Sequence, residues 1–309
     1  MKRFVKISRL PLIVITGPTA SGKTALAINL AKKLDAEIIS ADSRCVYKGL
    51  DIVSAKPAPD EMQGVPHHLI DIMEPLDEPY SAGDFVSDAK KCIDKIQSKG
   101  KPVIISGGTW FYIKCLLDKE ELPEISSDKS YRTHLETFDN NTLWKMLENI
   151  DKKRADEIHP NNKERVIRAL EMAHISGGKV SKIERKLNTE YDALWFANDF
   201  TNNENRQMLY DRINLRVDKM VEKGLYFEWE KMCAKYNRTK VLENTIGYKE
   251  FFELEDKVYS SIDEAIEKIK QRTRNFAKRQ LTYFKSELRI KNIKNEDEIL
   301  TILKNLGYF

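Results

Sequence analysis

Apolar positions in the first third of the chain come in short blocks separated by longer amphipathic stretches. Leu12-Ile13-Val14-Ile15-Thr16, Glu37-Ile38-Ile39-Ser40 and Pro102-Val103-Ile104-Ile105-Ser106 are compact runs rich in β-branched residues and bounded by turn residues, and they predict buried strands. Residues 23–34, about 82–98 and about 110–117 carry apolar side chains at helical spacing instead. Strands alternating with helices predict an α/β fold, a parallel sheet flanked by helices on both faces. Ligands of such sheets gather at the carboxyl ends of the strands. That edge would carry Gly17 to Thr24, Asp42 to Arg44 and Gly107 to Thr109.

From about residue 119 to 190 the strand-like runs vanish. Leu135, Phe138, Leu143, Trp144, Leu147 and Ile150 recur at helical spacing, and residues 161–172 form an amphipathic helix. Val166, Ala169, Leu170 and Ala173 share one side of that helix, with Arg165 and Arg168 elsewhere. The basic stretch 178–190, with Arg185 and Lys186, reads equally well as a solvated connection and as a phosphate-contacting edge. Trp195 to Phe200 predicts a strand returning to the sheet, followed by a helix over 209–221 that ends near Gly224 and a long helix over 262–289. The expected organisation is an α/β core in two parts, 1–127 and 191–309, interrupted by an all-helical insertion domain over 128–190.

The first strand runs into Gly17-Pro18-Thr19-Ala20-Ser21-Gly22-Lys23-Thr24, which satisfies G-x-x-x-x-G-K-[ST] between a strand and a helix. This is a P-loop, and the fold is expected to be P-loop NTPase-like. Its backbone N–H groups and helix N-terminus can cradle a diphosphate, Lys23 can neutralise it, and the Thr24 hydroxyl can hold Mg²⁺. No carboxylate closes the strand at 102–106, where an ATPase usually keeps one for Mg²⁺ and water. The nearer acid is Asp42, at the tip of the neighbouring strand. It suits a base that activates a nucleophile, and it equally suits the cap of a turn.

Composition narrows this picture without redirecting it. The chain has 309 residues, 41 % hydrophobic and 32 % charged, with a net charge of +4, as expected of a globular protein. Cys45, Cys92, Cys115 and Cys233 are scattered, with no C-x-x-C pair, so neither zinc nor a disulfide framework is indicated and a cytoplasmic protein is expected. The basic N-terminus (Lys2, Arg3, Lys6, Arg9) precedes an apolar run too short for a signal peptide or a membrane span. His67-His68 lacks a third ligand at a familiar spacing and reads as a packed or hydrogen-bonded pair beneath the site. Arg212 and Arg216 lie four apart on one helix face and suit a diphosphate, or else they pair with Asp211 and Asp218. The helix over 268–289 carries eight Lys and Arg, among them Arg274, Lys278, Arg279 and Lys285, against Glu287 alone. Such a stripe favours a polyanionic partner.

Taken together, these stretches resemble the tRNA dimethylallyltransferases (tRNA isopentenyltransferases). The likeness rests on the P-loop, Ile39-Ser-Ala-Asp-Ser-Arg44, Val46-Tyr-Lys-Gly-Leu-Asp51, Ala55-Lys-Pro57, Val65-Pro-His-His-Leu-Ile-Asp71 and Gly107-Gly-Thr109 with Tyr112. It continues through Arg165-Val-Ile-Arg-Ala-Leu-Glu171, Ile246-Gly-Tyr-Lys-Glu250 and Ala277-Lys-Arg-Gln-Leu-Thr282. The resemblance implies Mg²⁺-dependent transfer of a dimethylallyl group from its diphosphate to the exocyclic amine of the adenosine 3′ of the anticodon. In that reading Asp42 takes the proton from the amine, Thr24 places Mg²⁺, and Lys23 with Arg216 (Arg212 as second choice) stabilises the leaving diphosphate. The tRNA anticodon stem-loop would meet Asp42, Ser43, Arg44, Cys45, Thr109 and Asp128. It would also meet Arg165, Val166, Ile167, Arg168 and Ala169, then Ile246, Gly247, Tyr248 and Lys249, and finally Arg274, Lys278, Arg279 and Gln280. The adenosine must leave its stack to react. Nothing in the sequence demands more than a monomer.

Cys45 stands where the family usually has Gln, Val53-Ser54 replaces Gly-Thr, Trp110-Phe111 follows Gly-Gly-Thr, and Tyr283 and Lys285 replace Trp and Arg. One rival is an adenylate isopentenyltransferase acting on free adenine nucleotide, against which the basic helix and the helical insertion argue. The others are a P-loop kinase using ATP and an RNA-binding module without catalysis.

Overall fold

The computed structural model describes residues 11–118, 128–182, 191–198 and 203–308. The basic N-terminal residues, Arg185 and Lys186, and the end of the predicted return strand at Phe200 lie outside these. The chain divides into two compact units, one joining the segments before residue 118 and after residue 188, the other formed by Asp118–Asn188.

The larger unit is built on strands β1 (Leu12–Thr16), β2 (Glu37–Ser40), β3 (His67–His68), β4 (Val103–Gly107), β5 (Ala193–Asn198) and β6 (Ile290–Ile293). They form one sheet in the order β3-β2-β4-β1-β5-β6, with every pairing parallel. Side chains alternate across a strand, so β1 feeds two cores. Leu12 and Val14 pack with Ile39, Ile105 and Phe85, whereas Ile13 and Ile15 pack with Ile38, Ile104 and Phe196. Being buried on both faces is why these strands read as unbroken apolar runs. Helix α1 (Lys23–Leu34) covers the second core, and α3 (Ala82–Gln97) covers the first, its start fixed by a capping box between Ser81 and Asp84.

Two strands and five helices among the described residues of this unit, including Leu225–Tyr236, Lys240–Glu243 and Lys249–Glu255, were not predicted from the hydrophobic pattern. β3 is only the pair His67-His68, with the ring of His68 on the Glu37 carboxylate (2.7 Å) and that of His67 on the Val65 carbonyl (2.8 Å). The pair is hydrogen-bonded, as expected. The long basic helix ends at Ser286, and the chain turns at 287–289 into β6 and a further helix, Glu296–Asn305. The single turn α2 (Asp51–Ser54) lies between β2 and β3.

The smaller unit holds α5 (Lys129–Glu136), α6 (Asn140–Ile150), α7 (Lys152–Asp156) and α8 (Lys163–Ser176) around Leu135, Leu143, Leu147, Val166 and Leu170. The fully buried carboxylate of Glu171 accepts hydrogen bonds from Arg132 (2.7 Å), Arg168 (2.6 Å) and the Asp128 backbone (2.8 Å). Burial of a charge is tolerated when it is paired in this way. No helix among the described residues of either unit is long and apolar enough to cross a membrane.

Candidate active site

The loop after β1 takes backbone shapes that few residues allow. Gly22, at φ +85°, starts α1, and Ala20 sits at φ +61°. α1 has no side-chain cap and no acid in its first turn, so its positive end and free N–H groups remain available to an anion. Asn198, closing β5, donates to the Ser21 carbonyl (2.8 Å) and braces the loop from the neighbouring strand. Lys23 donates to the Pro18 carbonyl (3.3 Å).

Asp42 lies just beyond β2. Its Oδ1 accepts from the backbone of Arg44 (2.8 Å) and Cys45 (3.4 Å), while Oδ2 has no hydrogen bond among the described residues. Thr109 holds the same turn, donating through its backbone to the Ala41 carbonyl (3.1 Å) and accepting from Ser43 through Oγ1 (3.0 Å). That approach requires glycine at 107, where an added Cβ would lie 2.1 Å from the Ala41 carbonyl oxygen. Of the two roles that its sequence position suggested, the structure shows the turn cap, and it leaves the second oxygen at the cavity. One oxygen caps the turn, and the residue also lines a cavity of about 530 Å³ together with Lys23, Thr24, Arg44, Thr109 and Arg216.

The cavity is electropositive apart from Asp42. Burial pushes the Lys23 ammonium down from 10.5 to about 8; the charge of Asp42 opposes this and that of Arg216 adds to it. Burial also lowers Arg216, with Asp42 again opposing. Arg44 is lowered for the same reason, and its guanidinium donates to the Asn244 carbonyl (3.0 Å). Burial first, then Asp42, pushes the Cys45 thiol up, which keeps it protonated.

Of the residues singled out from sequence, Thr19, Lys23, Thr24, Asp42, Ser43, Arg44, Cys45, Thr109, Arg216, Ile246, Gly247, Lys249, Arg279 and Gln280 line this one cavity. Gly17, Pro18, Ala20, Ser21 and Gly22 shape the loop through their backbone. Arg212 does not reach the cavity; one turn before Arg216, it is exposed to solvent. Tyr248 is fully buried and its hydroxyl donates to Glu228 (2.7 Å), so its side chain is not on an RNA face. Val166, Ile167 and Ala169 pack in the core of the smaller unit; Arg165 is exposed, and Arg168 is half-buried with its guanidinium on Glu171. Asp128 caps α5 by accepting from the Tyr131 backbone (3.0 Å).

The basic helix, α13 (Ile262–Ser286), is less free than its composition suggests. Arg272 forks onto Glu250 and Glu253, Lys270 bridges Asp218 and Glu267, and Arg274 donates to Asn214. Lys278 and Lys285 remain exposed, without an ion pair among the described residues. Gln280 points inward. Its Oε1 accepts from the Thr19 backbone (2.9 Å) and its Nε2 donates to the Gly108 carbonyl (2.8 Å), tying the P-loop to the tip of β4. A Cβ on Gly108 would lie 2.6 Å from that nitrogen.

Among the described residues no group of three His, Cys, Asp or Glu side chains could hold a metal. The Thr24 hydroxyl, exposed at the cavity wall and without a hydrogen bond among them, is an available protein ligand. A sparse donor set of this kind fits Mg²⁺, which usually binds through substrate phosphates and water.

Residues 45–287 match the family model described as IPP transferase. The chain belongs to this family. Two curated tRNA dimethylallyltransferases, from Exiguobacterium sibiricum and Macrococcus caseolyticus, are each 45 % identical to it, over 92 % of this chain and 89 % and 90 % of theirs. The full-length tRNA isopentenylpyrophosphate transferase of Bacillus halodurans has a TM-score of 0.68 at 37 % identity, covering 96 % of this chain and 95 % of that one. A eukaryotic dimethylallyltransferase acting on tRNA has a TM-score of 0.75 at 30 % identity, over 88 % of this chain and 69 % of that one.

Proposed function

We propose that the protein transfers a dimethylallyl group from dimethylallyl diphosphate to the exocyclic amine of the adenosine 3′ of the anticodon in tRNA. The carbon–oxygen bond to the diphosphate breaks, and the carbon–nitrogen bond forms as Asp42 accepts the amine proton. Lys23, Arg216 and the N–H groups of the P-loop take up the charge of the departing diphosphate. Thr24 would hold Mg²⁺, which would supply further charge neutralisation when bound. Thr109, which already fixes the turn at Ser43, stands beside Asp42 to place the adenosine, and the exposed Lys278 and Lys285 face the RNA. The observation that carries this reading is that one cavity joins a lone acid to a diphosphate cradle, with Asp42 near enough to shift Lys23.

The test is incubation with labelled dimethylallyl diphosphate and either unmodified tRNA or AMP. Label on tRNA is expected. Label on AMP alone would instead make the protein an adenylate prenyltransferase.

A further inference from the structure

Among the described residues the Arg216 guanidinium makes one hydrogen bond, from Nη2 to the Ser54 carbonyl at 3.3 Å. Ser54 ends α2, a single helical turn whose N-cap, Leu50, has no side-chain acceptor. One turn does not hold itself helical in water, so its geometry must be imposed from elsewhere. Glu228, on helix α10 (Leu225–Tyr236), imposes it. Its Oε2 accepts from the backbone of Asp51 (3.0 Å) and Ile52 (2.6 Å), and its Oε1 accepts from that of Val53 (3.0 Å). The buried Tyr248 hydroxyl donates to the same Oε1 (2.7 Å) and keeps the carboxylate from swinging away. Glu228 does not itself line the cavity.

We infer that Glu228 is a positioning residue for Arg216. It fixes α2 through three backbone N–H groups, and the carbonyl at the far end of that turn aims the guanidinium into the cavity. The inference rests on the reading of Arg216 as a partner of the leaving diphosphate. Glutamine at 228 would keep the shape but offer an NH₂ where a backbone donor needs an acceptor, which loosens the turn.

The test is single-turnover dimethylallyl transfer to unmodified tRNA by the full chain, with Glu228→Gln made in the wild type and in Arg216→Ala. In the wild type a loss of about 10- to 100-fold is expected, the usual cost of removing a supporting partner, with tRNA affinity unchanged. In Arg216→Ala the same change should cost less than about threefold, because the residue through which Glu228 acts is gone. Equal losses in both backgrounds, or no loss in the wild type, would overturn the inference. Should Glu228→Gln not fold, Glu228→Asp is read by the same comparison, since it keeps the charge but is too short to reach all its donors. Failure of the unmutated protein to label tRNA would count against the proposed function instead, so the two failures are distinct.

Discussion

Replacing Lys23 with methionine should stabilise the ligand-free protein while abolishing its response to diphosphate. Displacement of the Lys23 pKa from 10.5 to about 8 corresponds to about 3 kcal/mol held against the folded state at neutral pH, at about 1.4 kcal/mol per tenfold change. Methionine fills a similar volume without charge, but it gives up the hydrogen bond to the Pro18 carbonyl, worth about 1 kcal/mol. Lys23 also keeps some contact with water. A net gain of about 1–2 kcal/mol remains, or an upward shift in melting temperature of about 2–4 °C. The pH dependence follows from the direction of the shift. The unfolded chain binds more protons than the folded one between pH 8 and 10.5, so the wild type gains stability across that window and its deficit against Lys23→Met closes. Below pH 8 the deficit is constant. Dimethylallyl diphosphate at about a hundred times its Kd should add about 2.7 kcal/mol to the wild type and nothing measurable to the variant, reversing their order. Thermal melts at pH 7 and 10, with and without ligand, provide the measurement. A ligand-free variant less stable than wild type at pH 7, or a gap that does not narrow toward pH 10, would refute the electrostatic account of this site.

Asp42→Asn preserves an oxygen for the Arg44 and Cys45 backbone, so turnover should fall by about 10²–10⁴ with tRNA affinity intact in a filter-binding assay; collapse of affinity would make Asp42 a structural residue. Lys278→Glu with Lys285→Glu should weaken tRNA binding and flatten its dependence on salt by about one unit of slope per lost phosphate contact, whereas an unchanged slope would place the RNA elsewhere. Gly107→Ala sets a Cβ 2.1 Å from the Ala41 oxygen; a loss of about 1–3 kcal/mol in urea unfolding is expected, and near-neutral stability would mean that the backbone there yields easily.

What could be read from the sequence was local. The P-loop, the strand before it and the acid at the tip of β2 each declare themselves within a few residues, because their chemistry depends on neighbours in the chain. Residues whose role depends on distant partners did not. Arg272 looked like part of a positive stripe, yet its charge is spent on Glu250 and Glu253 from another helix. Val166 and Ala169 were visible as an apolar face, and burial, rather than contact with RNA, is what that face provides. Asn198 gave one usable signal, a polar side chain ending an apolar strand. Glu228 gave none, since nothing in its surroundings along α10 points to a turn that far upstream.

The phosphate motif occupies eight consecutive residues, but one of its amides is anchored by Gln280, 261 positions downstream. A fragment that stops short of α13 would contain every letter of the signature and lack the side chain that ties it to the tip of β4. The loop's geometry is in that sense completed only when the last third of the polypeptide has docked, so its integrity depends on the larger unit folding from end to end.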